Sequence, residues 1–218
     1  MKKIAILIFI TITSLGCSQT DYKIDYAAIL NSCFSENEIE ILNEACTLFE
    51  TNLMEHYESE SKSNNYKLYL KEFKSHDKQV GEIKKPTKEI LDKLKNSNVF
   101  NEIWTTFSET YYEDDRKNQP KSKDNLYVIN PKGKYLKCLI DNQKNETINE
   151  FLMTIEKFSK EKYIMTQTVL AKGLSESLKA EDYEDKAVRF IIALNFYYQL
   201  EFNDNRRITI KTILPFSN

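Results

Sequence analysis

From Ala187 to Phe202 the chain places apolar side chains in almost every direction around a helix: Ala187, Val188, Phe190, Ile191, Ile192, Ala193, Leu194, Phe196, Tyr197, Tyr198, Leu200 and Phe202. A surface helix carries one apolar stripe, whereas a helix that is apolar all round must be enclosed by others. This segment therefore predicts a mainly α fold, an irregular multi-helix bundle packed around a central helix near the C-terminus, over residues 183–202. Asp182 and Asp185 precede it, in the place where carboxylates suit a helix start.

The partners of that helix are legible upstream. Ser35 and Glu38 form a capping-box pattern before Ile39, Leu42, Ala45, Cys46, Phe49, Leu53 and Tyr57, which recur at helical spacing on one face. Tyr66, Tyr69, Leu70 and Phe73 predict another helix, and Thr87 after Pro86 caps one carrying Ile90, Leu91 and Leu94. Phe100, Ile103, Trp104, Phe107 and Tyr111 read as an aromatic helix stripe that starts at Ser97 or Asn98 and packs into the core. Thr147 and Glu150 repeat the capping-box pattern ahead of Ile148, Phe151, Leu152, Ile155 and Phe158, and Val169, Leu170, Leu174 and Leu178 mark a further helix. Asp25 to Cys33 form a first short helix. The expectation is a bundle of about seven helices in one domain, residues 25–218.

Two stretches depart from this grammar. Residues 114–124 are charged, broken by Pro120 and without apolar periodicity, and read as a surface loop. Residues 126–140 admit two readings: a β-hairpin turning at Asn130, Pro131, Lys132 and Gly133, or a helix capped by Asn130 with Pro131 at its first position. The helix is the preferred reading because its neighbours are helical. Beyond Arg207 the segment TIKTIL pairs as a short strand or trails.

The N-terminus has a different logic. Lys2 and Lys3 precede the apolar run Ile4 to Ile12, which is too short to span a bilayer, since spanning takes about 20 apolar residues. A basic flank, an apolar run and a small-residue exit in that order form a secretory signal. The exit, Ser14, Leu15, Gly16 and Cys17, resembles the lipobox of bacterial lipoproteins. The resemblance covers residues 1–17 only. It implies cleavage between Gly16 and Cys17, acylation of Cys17, a lipidated tether over residues 17–24 and attachment to membrane lipid. Gly16 and Cys17 match the pattern, whereas Ser14 and Leu15 stand in swapped order relative to its usual aliphatic and small positions. Two or more acyl chains hold a protein stably, each buried methylene contributing about 0.8 kcal/mol. Ser18 stands where enteric lipoproteins retained at the inner membrane carry aspartate, so the resemblance implies residence in the outer membrane of the cell envelope.

Three cysteines follow Cys17, enough for one bridge and one spare thiol in an oxidising compartment. With Ser35 as cap, Cys46 lies about 16 Å up its helix, while Cys33 reaches roughly 7 Å at most; bridged Cα atoms come within about 7 Å, so those two do not pair. The expected bridge joins Cys46 to Cys138, both on apolar faces, against the alternative that all three are small buried apolar residues.

Catalytic constellations are sparse. His56 and His76 are the only histidines, each beside acidic residues on a solvated helix flank, and the four glycines form no phosphate-cradling loop. Glu113, Asp114 and Asp115, and Glu181, Asp182, Glu184 and Asp185, are the acidic clusters that a divalent cation would use, although acids at a helix start or in a loop are expected without one. Asn195 and Gln199 sit four apart on the most buried helix, with Arg189 two turns below and displaced around the axis. Buried polar groups need partners, so these three line a pocket or are satisfied by neighbouring backbone. Basic and acidic residues number 31 and 33, and losing Lys2 and Lys3 with the leader takes the formal charge from -2 to -4, which argues against nucleic acid as partner. No cofactor is expected. The reading that follows is a membrane-tethered, non-enzymatic module binding a protein of the envelope, in its narrowest form an immunity lipoprotein against an incoming toxin. The alternative is a periplasmic enzyme using acidic residues with a divalent cation.

Overall fold

A computed structural model describes residues 24–75, 82–107, 126–161 and 165–203. The protein is a mainly α multi-helix bundle with a small two-stranded sheet. A 3₁₀ turn, Ala27–Leu30, leads into α1 (Glu36–Tyr57), then α2 (Lys62–Lys74), α3 (Lys88–Asn96), α4 (Val99–Ile103), strand β1 (Trp104–Thr106), strand β2 (Tyr127–Ile129), α5 (Lys134–Asn142), α6 (Glu146–Lys160) and α7 (Gln167–Ser177). A second 3₁₀ turn, Glu181–Glu184, precedes α8 (Lys186–Ile192).

The predicted central helix is central. Val188, Phe190, Ile191, Ile192, Leu194, Phe196 and Tyr198 are wholly buried, each such side chain contributing about 1.5–3 kcal/mol relative to exposure. Asp185 caps it, accepting from the Ala187 N–H at 2.8 Å. The helix is not uniform: past Ile192 it widens into a π-helix, Ala193–Tyr198, before returning to α geometry over 199–203. The Gln199 N–H reaches back to the Leu194 carbonyl in the π pattern. Consecutive rings then leave in different directions. Phe196 meets Phe73 edge-on at 5.4 Å, Tyr197 stacks on Phe49 at 4.4 Å, and the Tyr198 hydroxyl donates to the Ala45 carbonyl at 2.8 Å.

The caps at Ser35 and Thr87 form where the sequence places them. The Ser35 N–H donates to Glu38 at 2.8 Å, and Thr87 Oγ1 accepts from the Ile90 N–H at 3.3 Å. Before α6 the capping residue is Asn145, not Thr147; its side chain accepts from the Ile148 N–H at 3.1 Å while its amide donates to Asp182 at 2.7 Å. A cap two residues upstream, held by its tertiary partner Asp182, thus starts the helix earlier than the capping-box pattern indicates.

The aromatic stripe from Phe100 is cut short. Helix α4 ends at Ile103, and Trp104 turns extended to open β1, whose residues Trp104, Thr105 and Thr106 face Ile129, Val128 and Tyr127 across an antiparallel pair. Thr105 and Thr106 are β-branched, and the Trp104 indole packs edge-on against Phe202 at 5.0 Å, so strand geometry keeps the ring in the core. Tyr111 lies outside the described residues.

Both readings of residues 126–140 are corrected. Residues 127–129 do form a strand, yet their partner is β1 and not residues 134–140, and a helix does follow, yet it begins at Lys134 with Gly133 as cap. Asn130 does not cap it; its amide donates to the Asn101 carbonyl and its oxygen accepts from the Lys132 N–H. Gly133 is required by a close approach, because a Cβ there would lie 2.1 Å from the Glu102 carbonyl oxygen. The charged segment 114–124 and TIKTIL lie outside the described residues, as does the leader with Gly16 and Cys17.

Candidate functional site

The polar residues of the central helix are the first place to look for chemistry. Arg189 is 6% exposed. Its Nε donates to the Tyr183 carbonyl at 2.6 Å, Nη2 donates to Glu184 at 2.9 Å, and Nη1 lies 3.7 Å from Glu50 of α1. The guanidinium also sits over the Tyr66 ring at 5.8 Å. Glu50, itself buried, is met from its other side by Lys62 at 2.5 Å, and Ser63 donates to Glu184. The result is a charged seam joining α1, α2, the second 3₁₀ turn and α8. A buried carboxylate is tolerable here because two cations face it.

Asn195 and Gln199 make separate connections. Asn195 Oδ1 accepts from the Tyr135 hydroxyl of α5 at 3.0 Å, and its backbone carbonyl, within the π segment, accepts from Gln167 of α7 at 2.9 Å. Gln199 donates to the Tyr127 carbonyl at 3.1 Å. Asn203, not singled out from sequence, clasps the same strand residue, accepting from the Tyr127 N–H at 2.7 Å and donating to its carbonyl at 3.1 Å. Asn52 was equally missed: it donates to the Tyr197 hydroxyl and to the Lys84 carbonyl, both at 3.0 Å. Arg189, Asn195 and Gln199 therefore do not converge on one pocket. Each ties a different outlying element to the central helix; Arg189 and Gln199 reach backbone carbonyls, whereas Asn195 meets the Tyr135 hydroxyl and its Nδ2 is buried with no hydrogen-bond partner among the described residues. Asn52 stands three positions after Phe49 and seven after Ala45, on the apolar face of α1 by helical spacing, which is the signal that a core-facing polar residue is present.

Burial sets the titration of the groups around the seam. It pushes the Cys46 thiol well above its ordinary range, with Glu50 adding to the effect, so this cysteine is held as an inert thiol. Burial likewise raises the Tyr26, Tyr66, Tyr69, Tyr135 and Tyr198 hydroxyls, and Tyr183 is pushed up to about 12.

The disulfide differs from the expected one. Cys138 is bridged to Cys33, with Cα atoms 6.3 Å apart, and among the described residues Cys46 is the free thiol. Cys46 faces inward from α1 and has no bridging partner at hand, whereas Cys33 leaves the first 3₁₀ turn over α5 and meets Cys138 there. Lying on an apolar face was no guide to pairing, because that is also where an unbridged thiol is buried.

Three of the four acids in the 181–185 cluster are committed to structure. Asp182 accepts from Asn145 and from the Lys179 N–H, Asp185 caps α8, and Glu184 holds Arg189. Among the described residues no group of three or more His, Cys, Asp or Glu converges as a metal ion would need. Glu113, Asp114 and Asp115, and His76, lie outside the described residues. Among the described residues the surface carries shallow grooves, one between α1 and α3 lined by Glu44, Leu48, Glu89 and Ile90, and one between α6 and α7 lined by Phe151, Met165, Val169 and Leu170 together with Thr147, Glu150, Thr154 and Ser177. Val169 and Met153 are the exposed large hydrophobics, at 54% and 53%. No described helix is long and apolar enough to cross a membrane. Comparison with protein-family models, with curated proteins and with solved structures finds no match to this chain.

Proposed function

We propose that the protein is a lipoprotein of the cell envelope, cut before Cys17 and held on the membrane by acyl chains there, whose helical bundle is a non-enzymatic module that binds another envelope protein. The observation that carries the exported half of this reading is the Cys33–Cys138 bridge, since structural disulfides persist in oxidising compartments. The binding half is supported by where the polar groups go. Arg189, Asn195 and Gln199 are spent on holding the bundle together, while the groove between α6 and α7 presents Phe151, Met165, Val169 and Leu170 among polar neighbours such as Glu150 and Thr154, a mixed surface suited to contact with a protein. Outer-membrane residence follows from Ser18 beside the anchor.

The test is fractionation and intact mass of the protein expressed in a bacterial host, wild type beside Cys17→Ala, followed by cross-linking of the anchored protein in intact cells. Membrane-bound wild type carrying an acyl mass that Cys17→Ala lacks, with one reproducible cross-linked partner, is the expected result. Two soluble proteins cleaved elsewhere would remove the anchor from the reading, and an anchored protein that cross-links to nothing would remove the binding role.

A further inference from the structure

The environment of the Cys33–Cys138 bridge is unequal at its two ends. Cys138 is 1% exposed and lies within α5, whereas Cys33 is half-buried in the stretch between the first 3₁₀ turn and α1. The hydrogen-bond donors are unevenly shared: Asn142 serves the buried sulfur alone, while Ser32 lies between the two sulfurs and nearer to that of Cys33. Asn142, one helical turn beyond Cys138, places Nδ2 3.4 Å from the Cys138 Sγ and also donates to the Cys138 carbonyl at 2.8 Å and to Ser32 Oγ at 3.2 Å. Ser32 Oγ lies 3.5 Å from the Cys33 Sγ and 3.8 Å from the Cys138 Sγ, and because neither bridged sulfur carries a proton the hydroxyl is the donor. Thiol–disulfide exchange depends on which sulfur is reachable and on how well the departing sulfur holds negative charge. Here the more reachable sulfur and the one to which Asn142 donates are different atoms.

We propose that this bridge is a site of directional exchange with an external thiol, which forms its mixed disulfide at Cys33 and releases Cys138. The incoming thiolate forms a bond to the Cys33 Sγ, the Cys33–Cys138 bond breaks, and its electron pair leaves on the Cys138 Sγ, where Asn142 Nδ2 and the Ser32 hydroxyl donate to it. A second thiol from the same class of reagent, a small thiol or the second cysteine of a dithiol protein, then attacks the mixed disulfide and leaves Cys33 reduced. Cys46 takes no part, because its thiol is wholly buried and an external thiol does not reach it. Tyr26, Ala27 and Leu30 anchor the preceding segment by their own burial in the core, so the exchange would loosen the stretch before α1 without requiring the bundle to open.

The probe is glutathione, added in limited amount to the oxidised full chain under native conditions, with the reaction stopped by acid and free thiols alkylated before peptide mapping. Glutathione on Cys33 with alkylated Cys138 is the expected product. Glutathione on Cys138, a mixture of both adducts, or no reaction before denaturant is added would overturn the assignment. Asn142→Ala is expected to slow the first step roughly fivefold by removing one donor from the departing sulfur. Asn142→Asp, which keeps the shape and sets a carboxylate against that sulfur, is expected to slow it further. A merely structural Asn142 would loosen the site and speed exchange in both variants, and equal rates in Asn142→Asp and wild type would equally refute the leaving-group role. Far-ultraviolet circular dichroism of each variant confirms that the rates compare folded proteins.

Discussion

Removing the bridge by Cys33→Ser together with Cys138→Ala tests how the bundle is held. The two cysteines are separated by 105 residues, so in the unfolded state the bridge closes a loop over about half of the chain. In the chain-entropy treatment a loop of about 100 residues raises the free energy of the unfolded state by about 4.7 kcal/mol. The bridge lies at one edge of the core and its loss removes little apolar packing, so the expected destabilisation comes mostly from the unfolded side. For a domain of this size each kcal/mol moves the melting temperature by about 2–4 °C, which predicts a fall of roughly 10–20 °C. Denaturant unfolding provides the sharper measurement. If the bridge acts by confining the unfolded chain, its removal raises the slope of stability against urea, because the freed chain exposes more surface. Working in mildly acidic buffer suppresses exchange with Cys46 in the unfolded state. A melting temperature lowered by less than about 3 °C with an unchanged urea slope would refute the unfolded-state account.

Gly133→Ala is expected to destabilise by about 1–3 kcal/mol, seen as a lower urea midpoint, because its Cβ would meet the Glu102 carbonyl and force α4 and α5 apart. Arg189→Met alone leaves Glu50 facing only Lys62 and is expected to cost about 3 kcal/mol, whereas adding Glu50→Gln recovers part of that loss; a double variant less stable than the single would contradict the charge-seam argument. Tyr66, Tyr69, Tyr135 and Tyr198 are held neutral by burial well above the ordinary tyrosine value of about 10, so the unfolded chain loses their protons first and stability falls as pH rises beyond that value. Ultraviolet titration is expected to show these hydroxyls ionising together with loss of helix; their ionisation in a still-folded protein would contradict the burial described.

Periodicity and caps carried much of the fold. A run apolar in every direction could only be enclosed, which made residues 187–202 legible as the centre, and Ser35, Thr87 and Asp185 mark helix starts through bonds to residues two or three positions away. What local pattern could not supply was any feature whose partner is distant in the chain. Trp104 continues a helical stripe by spacing, yet it leaves the helix because Ile129 offers strand pairing and Phe202 offers a ring to pack on. Asn145 outcompetes Thr147 as a cap because Asp182 holds it. Cys33, ruled out as partner of Cys46, proves to be the partner of Cys138, which spacing along α1 had no means of revealing. Arg189, Asn195 and Gln199 were identifiable from sequence as buried polar residues, since their helix had to be buried. Their separate partners, Glu50, Tyr135 and Tyr127, were settled only when tertiary packing brought three other elements against that helix, because hydrogen bonds and ion pairs are decided by distance in space and not along the chain.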